Sequence, residues 1–250
     1  GLGDVYKRQA EERVTALAPA CAVKMENVTK RFGKVVANNA INLELREGEI
    51  LSLLGENGSG KSTLLEAIAV AQGFNPEGGT KNYSFSSYDS HSGLAEALRL
   101  VRGARRAKWG YFLRAESFYN VATQEENYAE LQCLSAGYHR KSHGESFLAL
   151  AQQEFRPQGL YLLDEPEAAL SPQRQMSLLV EIARCAAQGS QFIIASHSPI
   201  LLAMPEAEIL CFDADGVRPF TYEETDSYRI TKLFLDDRKR ILHHLLAQIE

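Results

Sequence analysis

Gly55-Glu56-Asn57-Gly58-Ser59-Gly60-Lys61-Ser62 puts three glycines, a lysine and a hydroxyl into eight residues, with Thr63 next in line. Glycines let a backbone wrap closely and aim its N–H groups at an anion, and a lysine adds a point charge. The spacing is GxxxxGK[ST], and it stands between an apolar run, Ile50 to Leu54, and a helical pattern, Lys61 to Ala71. A phosphate-binding loop needs that strand–loop–helix setting, because the helix N-terminus supplies further donors and a positive dipole end. Lys61 is expected to bridge the β- and γ-phosphates of a nucleotide, and Ser62 to ligate Mg²⁺. An ordinary glycine-rich turn is the alternative, and the flanks count against it.

Two later strands end in groups that suit such a loop. Leu160-Tyr161-Leu162-Leu163 runs into Asp164-Glu165, where Asp164 suits a metal and Glu165 suits a base orienting a water. Gln191 to Ala195 runs into Ser196-His197-Ser198. His197 is read as a γ-phosphate contact, against the plainer reading of a structural histidine at a strand end. A fourth segment, Lys141-Ser142-His143-Gly144-Glu145-Ser146, opens an amphipathic helix. A serine oxygen, a glycine backbone and a helix N-terminus are anion-binding parts, so Ser142 and Gly144 join the candidates beside a plain N-capped helix.

In this order the segments resemble the ATP-binding-cassette class of P-loop ATPases. The resemblance implies ATP and Mg²⁺ as ligands, with Glu165, His197 and Lys61 carrying the chemistry. Gly55, Asn57, Gly58, Ser59, Gly60, Lys61, Ser62 and Thr63 would hold the phosphates. Ser142 and Gly144 fall where that class carries its LSGGQ signature, which reaches the nucleotide of a partner subunit. His143 and Glu145 depart from that signature, and Ser171 in DEPEAALSP stands where transporters carry Asp. There is no clear Q-loop glutamine; Glu116, in FLRAES, is the stand-in on the metal side beside Ser62 and Asp164. Phe32, in KRFGKVVA, matches the aromatic that stacks on adenine in transporter ATPases, a strand-end core aromatic being the alternative. Residues 23–63 look like an importer ATP-binding subunit, whereas residues 55–250 look like small soluble bacterial ATPases of AAA-family type. The two likenesses change over inside the phosphate loop, as at a junction between two parent sequences.

The elements that must position these groups are legible from pattern. Alternating AVKMENV and AINLELREGE predict a β-rich lobe over 21–54. Strands are expected at Gly110 to Leu113, GLYLLDE, QFIIAS, AEILCFD and VRPFTYEE, and helices over Leu94–Ala107, Gly144–Phe155, Pro172–Gln188 and DSYRITKLFLDDRKRILHHLLAQ. Apolar strands alternating with helices predict an α/β fold of P-loop type, a mostly parallel sheet flanked by helices, with a small helical insertion. Residues 1–20 are expected to be a leader outside the native fold, and 21–250 a single ATP-binding domain. Within it lie the lobe, the phosphate loop and its helix (55–71), an insertion (72–140), a stretch from Ser142 to His197 (141–213) and a C-terminal hairpin with helices (214–250).

Composition sets bounds. The chain has 250 residues, 45% apolar and 24% charged, with a net charge of −5. That balance gives no general pull toward nucleic acid, although Arg99, Arg102, Arg105, Arg106 and Lys108 form a basic run that is either a solvated helix face or a weak DNA contact. No apolar run reaches the ~20 residues of a membrane span. Cys21, Cys133, Cys185 and Cys211 are scattered, as reduced thiols of a cytoplasmic protein would be. The expectation is an ATPase that forms an ATP-dependent homodimer. The alternatives are a transporter subunit docked on a membrane permease and a clamp or sensor that binds ATP without turnover.

Overall fold

Three strands of the main sheet, ILSLLG, GLYLLD and QFIIA, are buried at every position, so each must be covered twice. The computed structural model describes residues 21–32, 35–56, 58–80, 94, 107, 109–116, 143–213 and 216–247. Its first strands, β1 (Cys21–Phe32) and β2 (Val35–Arg46), pair antiparallel as a separate lobe. A six-stranded sheet follows in the spatial order β4-β5-β6-β3-β7-β8, with β3 Ile50–Gly55, β4 Trp109–Arg114, β5 Gly159–Asp164, β6 Gln191–Ala195, β7 Glu208–Asp213 and β8 Gly216–Phe220. β4, β5, β6, β3 and β7 run parallel, and β8 closes the edge antiparallel to β7.

Alternation within β5 shows how the layers are built. Leu160 and Leu162 enter one core with Leu51, Leu53, Phe112 and Ile193. That face is covered by helix α1 (Lys61–Gln72) through Leu64, Leu65 and Ile68, and by Val23, Met25, Leu43 and Leu45 of the lobe. Tyr161 and Leu163 enter the opposite core with Phe192 and Ile194. There α2 (His143–Glu154) contributes Phe147 and Leu150, and α3 (Pro172–Ala186) contributes Leu178 and Ile182. Each fully buried Leu, Ile or Phe stabilises the sheet by roughly 1.5–3 kcal/mol relative to exposure. A strand buried on both faces has to read as a continuous apolar run, and GLYLLD does.

Tyr161 is the one polar-tipped residue in that run before the closing Asp164. Its hydroxyl accepts from the Arg156 N–H and lies 2.9 Å from the Arg156 carbonyl oxygen and 3.1 Å from that of Glu154, within donating distance of both. Burial pushes the phenol up to about 12, so it stays a donor. Its ring stacks on Phe192 at 5.0 Å between centroids.

Beyond β6 come the four-residue helix α4 (Pro199–Leu202), then after the hairpin α5 (Asp226–Asp236) and α6 (Arg238–Leu246). Two expectations are revised here. The strand predicted through VRPFTYEE stops at Phe220, because Glu224 folds back and accepts from both the Thr221 N–H and the Thr221 hydroxyl, making a capped 3₁₀ turn over Tyr222–Glu224. The long C-terminal helix is two helices, because Asp237 leaves helical geometry and its carboxylate caps the Arg240 N–H at 3.3 Å. The leader over 1–20, most of the insertion, the expected helix Leu94–Ala107 apart from its two end residues, Cys133 and the basic run with Lys108 lie outside the described residues. Among the described residues no helix is long and apolar enough to cross a membrane.

Tyr161→Phe keeps the packing and strands the Arg156 amide, so it is expected to cost about 1–2 kcal/mol in urea unfolding with an unchanged m-value.

Candidate functional site

Parallel strands bring their C-terminal ends to one edge, and register decides which residues meet there. Arg114 of β4 sits level with Asp164 of β5, and Asp164 level with Ala195 of β6, one residue before Ser196-His197. β3 lies on the other side of β6, so Gly55 and the loop after it open onto the same edge.

The loop is built by close approach. A side chain at Gly55 would meet Ser59 Oγ at 2.6 Å and the Phe212 carbonyl oxygen at 2.8 Å, so β3 can turn here only as glycine. Ser59 N–H donates to the Glu56 carbonyl at 3.0 Å, and Gly60, with φ at 91°, swings the chain into α1. Gly58 also has positive φ, and Asn57 lies outside the described residues. The following residues point inward: Lys61 is 3% exposed, and Ser62 Oγ donates to Asp164 Oδ1 at 2.9 Å. Thr63 is half-buried in the first turn of α1.

Asp164 is 6% exposed. Burial pushes its carboxyl up to about 6, against the lowering effects of the Ser62 hydrogen bond and the nearby Arg114 charge. Glu165 stands in the left-handed region, φ 49° and ψ 49°, fixed by its own N–H donating to the Ala195 carbonyl at 2.9 Å. That turn brings Glu165 Oε1 to 3.5 Å from Lys61 Nζ and 3.8 Å from His197 Nε2. Lys61, Glu165 and His197 therefore converge, and Ser62 and Asp164 meet beside them.

Among the buried polar atoms with no hydrogen-bond partner are Ser59 Oγ and His197 Nε2. Buried polar groups are normally satisfied, and these two belong to the loop and to the strand end facing it. Phosphate oxygens would accept from both. The donors, together with Lys61, fit a polyphosphate, and the Ser62–Asp164 oxygen pair fits a hard cation such as Mg²⁺.

Other expected residues do not join this group. Glu116 is 85% exposed and lies 3.8 Å from Arg114 Nη2, while Arg114 is what reaches Asp164, Nε to Oδ2 at 3.5 Å. Arg114 is held in turn by Glu66 at 3.1 Å and by the Pro76 carbonyl at 3.2 Å. Only the end of an apolar strand, FLR, hinted at a cation there, and its partner Glu66 sits on α1 at a position pattern alone does not single out. Phe32 ends β1, with its side chain outside the described residues, as is Ser142 altogether. Gly144 is buried at the start of α2, and a side chain there would meet the Ala169 carbonyl at 2.9 Å and Arg174 Nη1 at 2.8 Å. Packing within the chain thus accounts for this glycine whatever faces the helix end. Arg174 also pairs with Glu145 at 2.9 Å, tying α2 to α3.

Comparison with known proteins follows the same lines. Residues 23–145 match the family described as "AAA domain", and residues 145–203 match "AAA domain, putative AbiEii toxin, Type IV TA system". The hemin import ATP-binding protein HmuV of Pseudomonas aeruginosa is 28% identical over 203 residues, 72% of this chain and 79% of that one. The chain is thus similar to an ABC importer's ATP-binding protein over most of its length. The nucleoside import ATP-binding protein NupA of Lactococcus lactis is 55% identical over 53 residues, 21% of this chain but only 10% of that protein. In fold, the chain resembles cbiO1 of Clostridium perfringens, part of the ABC transporter complex cbiONQ, with TM-score 0.50 and 19% identity over 91% of this chain and 99% of that one. ATP binding is what the names of HmuV and NupA state of those proteins.

The raised Asp164 carboxyl has a sign. Its folded pKa lies above the unfolded value, so the folded state binds the extra proton, and stability from this group falls as pH rises from about 4 through about 6. With Mg²⁺ and nucleotide removed by EDTA and dialysis, Asp164→Asn is expected to melt higher than wild type at pH 7.5, by up to about 3 kcal/mol, and to match it near pH 4. Melting curves across that range check it; adding Mg²⁺–ATP is expected to reverse the order.

Proposed function

We propose that the protein hydrolyses ATP at a composite site, two copies of the chain enclosing two nucleotides, and that hydrolysis separates them. The observation that supports it is the convergence of Lys61, Glu165 and His197 at one sheet edge beside the Ser62–Asp164 pair. In this reading the backbone of Gly55 to Thr63, including Asn57, Gly58, Ser59 and Gly60, holds the phosphates, and Phe32 lies against the adenine. Lys61 neutralises charge on the phosphates that react. Ser62 and Asp164 would hold Mg²⁺, which would supply neutralisation of phosphate charge.

Glu165 orients the attacking water and takes up its proton; an exposed edge, at 38%, leaves it open to water. His197 donates to the γ-phosphate from Nε2, which stands 3.8 Å from Glu165 Oε1, beyond hydrogen-bond reach. Ser142 and the α2 N-terminus at Gly144 would complete the nucleotide site of the other copy. Glu116, at the surface, belongs to the metal side only through Arg114.

A permease is the alternative partner, because relatives such as HmuV and NupA are import ATP-binding proteins by name. The end of β4 carries Arg114 rather than a glutamine, which favours a partner other than a transporter's coupling surface. The reading also places the protein in the cytoplasm, where ATP and reduced thiols such as Cys185 and Cys211 coexist.

Glu165→Gln keeps the shape of the side chain and removes the base. It is expected to bind ATP, lose phosphate release by about 100-fold or more, and run at twice the monomer mass by light scattering when Mg²⁺–ATP is present. ATP-loaded variant that stays monomeric sinks the composite site. Wild type and variant releasing phosphate at the same rate sinks the role of Glu165.

A further inference from the structure

The third acid of DEPE has no role in the chemistry above, yet its carboxylate is fully engaged. Glu167 lies in the 3₁₀ turn Pro166–Ala169 that follows Glu165. One carboxylate oxygen accepts from Ser196 Oγ at 2.9 Å, and the other accepts from the main-chain N–H of His197 at 2.5 Å. We infer that Glu167 is the positioning residue for His197: its carboxylate grips the two residues at the end of β6 and sets where the imidazole stands.

The surroundings make this more than a surface contact. Ser196 is fully buried and receives a second bond, from the Ser198 N–H at 3.0 Å. Ser198 Oγ donates to Gln175 Oε1 on α3, and the Gln175 amide donates to the Leu170 carbonyl at 3.0 Å. Ser198 also caps α4 through Ile200 and Leu201. A chain of bonds therefore runs from the turn after β5, across Ser196-His197-Ser198, to α3 and back to Leu170. Glu167 is its only charged member, and hydrogen bonds to a carboxylate are roughly twice as strong as neutral ones. Among the described residues no other charged group holds the His197 backbone, and the imidazole Nε2 carries no hydrogen-bond partner that could fix it from the far side.

A side chain held by its backbone at one end and free at the other depends on the backbone hold. Loosening that hold lets the ring drift, and a misplacement on the order of 1 Å at a reacting centre costs up to about 100-fold. Binding of the nucleotide as a whole rests on the glycine loop and Lys61, which Glu167 does not touch. The effect belongs in kcat rather than in KM.

The inference rests on the proposed role of His197, and the experiment separates the two. Wild type, Glu167→Ala, Glu167→Gln, His197→Ala and the double variant Glu167→Ala/His197→Ala are compared in full-length protein for phosphate release, and the nucleotide-free proteins for hydrogen exchange at the His197 amide. Expected are an at least 10-fold fall in kcat for Glu167→Ala with KM for ATP within twofold, no further fall when it is added to His197→Ala, and amide exchange at least 10-fold faster. Glu167→Gln, which keeps one acceptor and the volume, is expected between wild type and Ala, and it serves if the Ala variant folds poorly. If His197→Ala lowers kcat while both Glu167 variants leave it unchanged, the positioning role is overturned and the His197 reading stands. If His197→Ala itself turns over like wild type, the His197 reading fails, and the positioning role in catalysis goes with it. Additive losses in the double variant overturn the inference too, because they mean Glu167 acts elsewhere.

Discussion

A carboxylate buried at the end of an apolar strand has to be compensated, and the site is arranged around how Asp164 is. At 6% exposure it faces Ser62 from the phosphate loop on one side and Arg114 from β4 on the other. Each neighbour arrives on a different element, so a single polar group pins loop, α1, β4 and β5 to one another. The Ser62 bond fixes the first turn of α1 against β5, and that turn carries Lys61. Arg114 ties β4 to α1 again through Glu66. The carboxyl still sits well above its ordinary pKa, which means the two neighbours fall short of the desolvation cost. A site that leaves a buried acid under-compensated is poised to gain from a cation, and stability is given up for that affinity.

The backbone at Glu165 carries the same logic into geometry. A residue with a Cβ at φ 49° sits in a sparsely populated region that costs on the order of 1–3 kcal/mol. Its amide bond to Ala195 and the anchored turn after it hold it there. The result is that the carboxylate folds back over the sheet edge toward Lys61 and His197 rather than continuing the line of β5. An extended backbone at this point would alternate the side chain to the far face.

Much of this was legible in the residues. The loop GENGSGKS, the runs ILSLLG, GLYLLD and QFIIA, and the groups at their ends are patterns of local composition, and local composition is what glycine turns and twice-buried strands require. The sheet order put those ends together, which no single segment encodes. Arg114 and Glu66 went unread because their meaning is a contact between a strand end and a helix face 48 residues apart. Glu167 looked like one more acid in a loop; its partners lie after the next strand. In the tail, DSYRITKLFLDDRKRILHHLLAQ read as one helix, but Asp237 caps the turn that follows it and divides the stretch in two.

Similarity to known proteins is uneven along the chain. Identity to NupA is high over a short span, while identity to HmuV is modest over most of the chain. Val23, Met25, Leu43 and Leu45 nevertheless share one core with Leu64, Phe112 and Leu160. A lobe contributes to that core by apolar volume alone, and cores accept foreign side chains when volume and pattern are kept. The polar contacts of the site are less forgiving: Ser62 with Asp164, and Lys61 with Glu165, are matched atom to atom between the phosphate loop and the end of β5. The segment from Gly55 to Thr63 therefore has to satisfy two neighbours at once, the strand before it, which packs with the lobe, and the catalytic strand ends beyond it.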